Sequence, residues 1–312
     1  MKEEKRIYGK KLRGILYAVL AAIIYGFTPV LARIAFDGGA NSITVAFLRG
    51  GISIPVLLII LGCKKISLDP GKHWGLILLT GVFGTGLTTL LLYQSYSYLS
   101  VGIATVLHYI YPLLVSVTCM VFFKEKINRW KVTSLVLCSI GIFMFIDSIS
   151  SFGIAGMFLA LLSGATYAFY MICVDKSQLK DIDYFKLTLY LNFFMFIVAG
   201  IFGSFTGELN FSLTPKAWIL CALVSLFIAL GALPLTQQGI KLAGASTVAI
   251  LSTLEPITSI TLGTLILKEP ISLLKLIGCI FIIVSILLIA ISEAKRDLQE
   301  QPSEITAAKD MP

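Results

Sequence analysis

Two ionisable side chains interrupt long apolar stretches of this sequence, and each stands ahead of a proline: His108 four residues before Pro112, and Glu255 directly before Pro256. Glu255 precedes Glu269 by 14 residues, about 21 Å of helix at roughly 1.5 Å per residue. With Glu269 at the outer edge of an apolar layer about 30 Å thick, Glu255 falls near its middle. A carboxylate is costly there, so it must be protonated, wet or paired. Ser252 and Ser259, at i−3 and i+4, share its helical face as a polar stripe. Glu255 is thus a candidate for proton exchange or for pairing with a cationic ligand group; the plainer reading is a helix-to-helix hydrogen bond. His108 forms a second patch with Tyr111 at i+3, where an imidazole either binds a proton or a ligand or simply bonds a neighbouring helix. Pro112 and Pro256 each remove one intrahelical hydrogen bond, giving a hinge or a static kink.

Further polar groups stand at apolar depth: Tyr25, Gln94, Tyr167, Tyr170, Gln237 and Gln238, with Ser163 on the face of Tyr167 and Tyr170. Phenols, amides and hydroxyls in one pocket suit a small polar or amphipathic organic molecule, since the donors orient it while the rings cover its apolar part. Tyr93, Tyr96 and Tyr98 read instead as an interfacial belt. Arg33 is near an apolar edge and can snorkel, whereas Arg49 lies about 12 Å in from Asn41. Signatures of zinc proteases, serine hydrolases, phosphate-cradling loops and dinucleotide folds are all missing, so no catalytic residue or cofactor is expected. The six cysteines, Cys63, Cys119, Cys138, Cys173, Cys221 and Cys279, form no metal-ligand spacing, so no metal is expected, and they read as small buried hydrophobes. The competing chemistry is that of a membrane-embedded enzyme using Glu255 and His108 as acid and base.

What positions these groups follows from composition. Of 312 residues 57% are hydrophobic and only 13% charged, with a mean hydropathy of +0.91, which excludes a soluble enzyme of this length. A net charge of +8 invites a nucleic-acid reading, but the basic residues fall between apolar runs, so nucleic acid is not an expected partner and the lipid bilayer is. Apolar windows fall at roughly 14–36, 41–61, 74–98, 101–122, 131–147, 153–174, 185–205, 216–240, 245–267 and 272–291. Breaks at Asp37-Gly38-Gly39, Lys64-Lys65, Lys124-Glu125-Lys126, Asp147-Ser148, Asp181 with Asp183, and Lys268-Glu269-Pro270 separate them. The expectation is an all-α membrane protein of ten transmembrane helices. With the N-terminus inside, 20 of the 25 Lys and Arg residues fall on that side, which predicts both termini cytoplasmic.

The chain repeats itself. Tyr111-Pro112 followed by Lys124-Glu125 returns as Glu255-Pro256 followed by Lys268-Glu269, an offset of 144; Gly14, Tyr25, Phe27, Gly102, Thr105 and Val106 return as Gly156, Tyr167, Phe169, Gly244, Thr247 and Val248, an offset of 142. Two residues inserted before Pro256 account for the change. Five helices per copy turn the second copy upside down, so the halves are inverted repeats.

Two five-helix units, each with a proline-containing fourth helix closed by Lys-Glu, resemble the EamA-type branch of the drug/metabolite transporter superfamily over about residues 14–291; Gly26, Pro29 and Phe47-Leu48-Arg49 add to the likeness. The resemblance implies a secondary-active or facilitative carrier, exporter or exchanger, of a small organic metabolite such as an amino acid, working by alternating access. It also assigns Arg49 to structure or gating. The expected organisation is a cytoplasmic tail 1–13, a first repeat 14–148, a second repeat 149–291 and a cytoplasmic tail 292–312, in the plasma membrane. The expected substrate-binding set is Tyr25, Gln94, His108, Tyr111, Tyr167, Tyr170, Gln237, Gln238 and Glu255, with Glu255 the candidate for proton coupling and Pro112 and Pro256 the hinges. Partners are the small-molecule substrate, the bilayer and, as candidate coupling ions, protons; oligomeric state is left open.

Overall fold

A computed structural model describes residues 2–95, 98–99, 101–125, 129–144, 154–267, 272–274, 276–289 and 291. Tyr96, Lys126, Asp147-Ser148, Lys268-Glu269-Pro270 and the tail from Ser292 lie outside them. Helices make up the described chain: α1 Lys2–Phe36, α2 Ser42–Cys63, α3 Gly71–Ser95, α4 Val101–His108, α5 Tyr111–Phe123, α6 Arg129–Phe143, α7 Ile154–Lys176, α8 Tyr184–Thr206, α9 Pro215–Ala243, α10 Ala245–Leu251, α11 Leu254–Leu267 and α12 Leu276–Ile289. Their ends follow local chemistry. Asn41 accepts the Thr44 N–H at 2.8 Å to start α2, and Asp183 accepts two N–H groups to start α8. Pro215 opens α9 behind Thr214, and Gly207, at φ 71°, ends α8 in the left-handed conformation open to a residue without a Cβ.

Among the described residues, seven stretches are long and apolar enough to cross a membrane: within α1, α2, α3, α7, α8 and α9, and the run Ala245–Ile266. Each of the ten expected windows contains helix, but the fourth is cut into α4 and α5, and α6 and α12 are short. The N-terminal segment also differs from expectation, because α1 begins at Lys2 rather than near residue 14. Lys, Glu and Arg are good helix formers, so the basic lead-in extends the helix. The prolines do more than kink. Tyr109 and Ile110 form a turn between α4 and α5, and Ser252 and Thr253 another between α10 and α11. Ser252 therefore leaves the helix that carries Glu255, and the expected continuous stripe is broken. Both α3 and α9 carry π-helical stretches, Thr80–Leu87 and Phe227–Ala232. Of the cysteines, Cys119, Cys138 and Cys221 are buried as expected, but Cys63 is exposed at the end of α2.

The two halves interleave. α2 and α8 run antiparallel: Gly203 of α8 meets Ile43 of α2, and Asn192 donates to Ser53 at 2.9 Å. α6 and α12 do the same, with Gly141 against Gly278 and the Ser285 hydroxyl donating to the Ser134 carbonyl at 2.6 Å. α1 packs on α9, α10 and α11, while α7 packs on α3, α4 and α5. Interhelical hydroxyl pairs, Thr88–Thr166 at 2.6 Å and Ser116–Ser246 at 3.0 Å, fasten these contacts where small polar residues let helices approach.

Candidate functional site

The two broken helices meet at their breaks. Tyr109, in the first turn, faces the Glu255 carboxyl on α11. Tyr111, at the start of α5, approaches Ser252 in the second turn. The Ser252 hydroxyl donates to the Val248 carbonyl at 2.9 Å, which leaves its oxygen to accept. Two glycines bring the other half's first helices onto these breaks. A Cβ on Gly26 of α1 would lie 2.7 Å from the Glu255 carbonyl, and one on Gly164 of α7 would lie 2.5 Å from the His108 carbonyl. Backbone-to-backbone approach of this kind is possible only without a side chain.

Around the breaks stands a wall of rings. Tyr111 and Tyr167 pack edge to face with centroids 4.8 Å apart, Tyr167 stacks on Tyr170 at 5.6 Å, and His108 lies 5.5 Å from Tyr111 and 5.6 Å from Tyr167. His108 Nδ1 is 2.8 Å from the Ser163 hydroxyl, whose own proton goes to the Ala160 carbonyl at 2.6 Å. The network therefore assigns a proton to Nδ1. Tyr25 joins the wall through Thr236 and Tyr167. Thr236 spends its proton on the Ala232 carbonyl at 2.8 Å, so its oxygen is left to accept.

Polar capacity is left over. Arg49 Nε, the Tyr170 hydroxyl and Gln237 Oε1 are buried atoms without a hydrogen-bond partner, although Tyr170 and Gln237 approach each other and Gln237 Nε2 donates to Thr188 at 3.1 Å. Each such group costs about 1–3 kcal/mol. Arg49 and Glu255 interact electrostatically across the site but form no ion pair. Tyr25, Arg49, His108, Tyr167 and Glu255 all keep part of their surface accessible despite lying between helices.

Seven of the nine expected binding residues thus gather: Tyr25, His108, Tyr111, Tyr167, Tyr170, Gln237 and Glu255. Gln94 does not. It sits near the end of α3, 3.4 Å from the Glu208 carboxylate after α8. Among the described residues Gln238 makes no hydrogen bond to the cluster, because it follows Gln237 by about 100° of helical rotation. Sequence reasoning missed Tyr109 and Thr236, and set Arg49 apart from the cluster it belongs to. Among the described residues no three His, Cys, Asp or Glu side chains gather as a metal would require. A depression of about 400 Å³ against Gly200, Ile201, Ser204 and Phe205 lies elsewhere, offering one hydroxyl and no charge, so it does not rival the central cluster.

Beyond the cluster, α5, α6 and α7 are tied at one end by ions. Lys131 donates to Glu125 at 2.7 Å, Lys176 lies 3.5 Å from the same carboxylate, and Lys176 pairs with Asp175 at 2.8 Å. Burial alone would raise the Glu125 carboxyl, but the Lys131 and Lys176 ammonium groups outweigh it and hold it below its ordinary 4.5. Lys241 and Asp181 pair at 3.1 Å on the same side, exposed.

A crystal structure of a protein superposes with a TM-score of 0.72 at 17% identity, over 91% of this chain and 98% of that one, a likeness of fold. An uncharacterized transporter of Synechocystis sp. is 26% identical, over 89% of this chain and 93% of its own. Human solute carrier family 35 member G1 is 21% identical, over 78% of this chain and 69% of its own. These relatives are named as transporters rather than enzymes, so the embedded-enzyme reading of Glu255 and His108 is set aside. The EamA-like transporter family matches twice, at residues 12–146 and 154–291. The chain is a multi-pass membrane protein, and it belongs to the EamA-like transporter family.

Proposed function

We propose that this chain is a secondary carrier for a small organic metabolite such as an amino acid, an exporter or exchanger working by alternating access about the paired breaks. Ten helices cross the plasma membrane as two inverted halves, 14–148 and 149–291, with both termini cytoplasmic. The antiparallel pairing of α2 with α8 and of α6 with α12 supports the inversion, since a two-fold axis in the membrane plane sets equivalent helices antiparallel. The observation that carries the functional reading is the central cluster itself: Arg49 and Glu255 unneutralised by each other, with buried polar atoms left unfilled, where two helices break. Broken helices at mid-depth are where carriers of this kind place ligands.

Glu255 is the proton-coupling group. It is faced by Tyr25 from α1, Arg49 from α2, Tyr109 and Tyr111 from the first break, and Tyr167 from α7. In proteoliposomes with an imposed pH gradient and saturating solute, Glu255→Gln is expected to retain exchange of a neutral or zwitterionic solute, at lower affinity where an ammonium meets Glu255, and to lose gradient-driven accumulation. A wild-type rate with unchanged response to the gradient makes Glu255 structural. Reporter fusions test the topology: after Asp147 outside, after Lys180 and after Ala294 inside. Termini on opposite sides overturn the five-plus-five arrangement.

A further inference from the structure

The central cluster has two poles. At one, Arg49 Nε and the Tyr170 hydroxyl are buried donors that complete no hydrogen bond, and the guanidinium acts electrostatically on Tyr170 and Tyr25. At the other, Glu255 is faced by Tyr109 and Tyr111. Tyr25 lies between and senses both charges. A site built only to neutralise these charges would let them meet, because separated interior charges each bear their own desolvation cost. Here they stay apart, and the cationic pole keeps Arg49 Nε and the Tyr170 hydroxyl without partners, beside one unfilled acceptor, Gln237 Oε1.

We propose that the central site takes a zwitterion lengthwise, its carboxylate on Arg49 and the Tyr170 hydroxyl, its ammonium on Glu255 beside the rings of Tyr109 and Tyr111. This rests on the cluster being the transport site and names its substrate class. The carboxylate satisfies both unpaired donors through charge-assisted hydrogen bonds. The ammonium meets an acidic group and the negative faces of aromatic rings together. A ligand bearing only a cation leaves Arg49 unpaired, and one bearing only an anion leaves Glu255 unpaired, so each half-ligand meets the penalty of the pole it fails to fill.

The test uses the purified full-length protein in detergent and thermal-shift titration of the common L-amino acids, each matched with its methyl ester and its N-acetyl derivative, alongside quaternary amines and organic phosphates. At least one amino acid is expected to stabilise the protein, with its ester and its N-acetyl form each binding about tenfold or more weakly. Arg49→Gln is expected to erase the gap between acid and ester, and Glu255→Gln the gap between amine and N-acetyl form; Arg49→Lys is expected to recover part of the first. The ligand series on the unaltered protein stands on its own if a variant fails to fold. A derivative that binds as well as its parent, or stabilisation by phosphates or quaternary amines alone, or by nothing in the series, overturns the zwitterion assignment. Counterflow in proteoliposomes with the same compounds separates the two readings. Movement of singly charged solutes only sinks the zwitterion and keeps the carrier; tight zwitterion binding without movement keeps the site and sinks the carrier.

Discussion

The break between α4 and α5 and the break between α10 and α11 occupy equivalent places in the two halves, yet they are chemically unlike. The first offers His108, Tyr109 and Tyr111, all rings with hydrogen-bonding atoms; the second offers Ser252 and a carboxylic acid, with no aromatic ring of its own. Each faces the other, Tyr109 toward Glu255 and Tyr111 toward Ser252. The backbone device is shared, a turn before a proline with a glycine of the opposite half pressed against it. Inherited repeats therefore supply matched geometry, while divergence at one residue pair, Tyr111 against Glu255, supplies the polarity a substrate reads.

If the backbone device is equal on both sides, Gly26→Leu and Gly164→Leu should each abolish folded protein. The alanine variants should each cost about 1–3 kcal/mol through overpacking, read as a lower melting temperature in detergent. A harmless Gly164→Ala beside a damaging Gly26→Ala would make only the acidic break a close junction. The chemical difference is sharpened by two phenol deletions. Tyr109→Phe removes the hydroxyl that faces the Glu255 acid and is expected to cost about 1.5–3 kcal/mol of stability. Tyr170→Phe removes a hydroxyl that has no partner, so stability should hold within about 1 kcal/mol, while substrate affinity falls. Equal stability losses in the two variants would mean that the Tyr170 hydroxyl is satisfied. Pro112→Ala and Pro256→Ala are expected to fold and to slow exchange, biasing the carrier toward one open state; unchanged transport in both would demote the breaks to fixed features.

The smallest effect lies at the end of α5. Because the folded Glu125 carboxyl titrates below its ordinary 4.5, its ion pairs stabilise the protein above that pH and are lost as pH falls through the lower folded value. The Glu125 side chain keeps 22% of its surface in solvent, where screening applies, so the contribution is about 1 kcal/mol or less. Glu125→Gln should lower the melting temperature slightly at neutral pH and converge with the wild type in acid. A constant gap across that range would assign the loss to packing rather than charge.

Much of this was legible in the residues because ionisable and aromatic polar groups are expensive at apolar depth, so His108, Glu255 and the tyrosines announced themselves by rarity. Helical phase carried less. Tyr109 falls off the face shared by His108 and Tyr111 in a continuous helix, and only the turn before Pro112 swings it toward Glu255. The same kind of break took Ser252 out of the helix of Glu255. Gln94 was misplaced because the apolar window of α3 does not say how far along it the protein's middle lies; its partner, Glu208, belongs to a connection in the other half. Arg49 was read by what its neighbours in sequence resemble, and its meeting with Tyr25, Tyr170 and Glu255 is a tertiary fact that no local pattern encodes.

The interleaving of the halves bears on how the chain is made. When the ribosome has delivered α1 through α6, the surface that will receive α9 and α11 is still bare, and the carbonyl of His108 has no Gly164 to cover it. Arg49 at that stage waits in lipid without the acid that later shares its site, so the early helices, which touch one another little, gain most of their packing only as the second half arrives. Biosynthesis thus runs through a half-built bundle whose costly groups are all at the unfinished face, and the last helices close the protein and complete the binding site in one event.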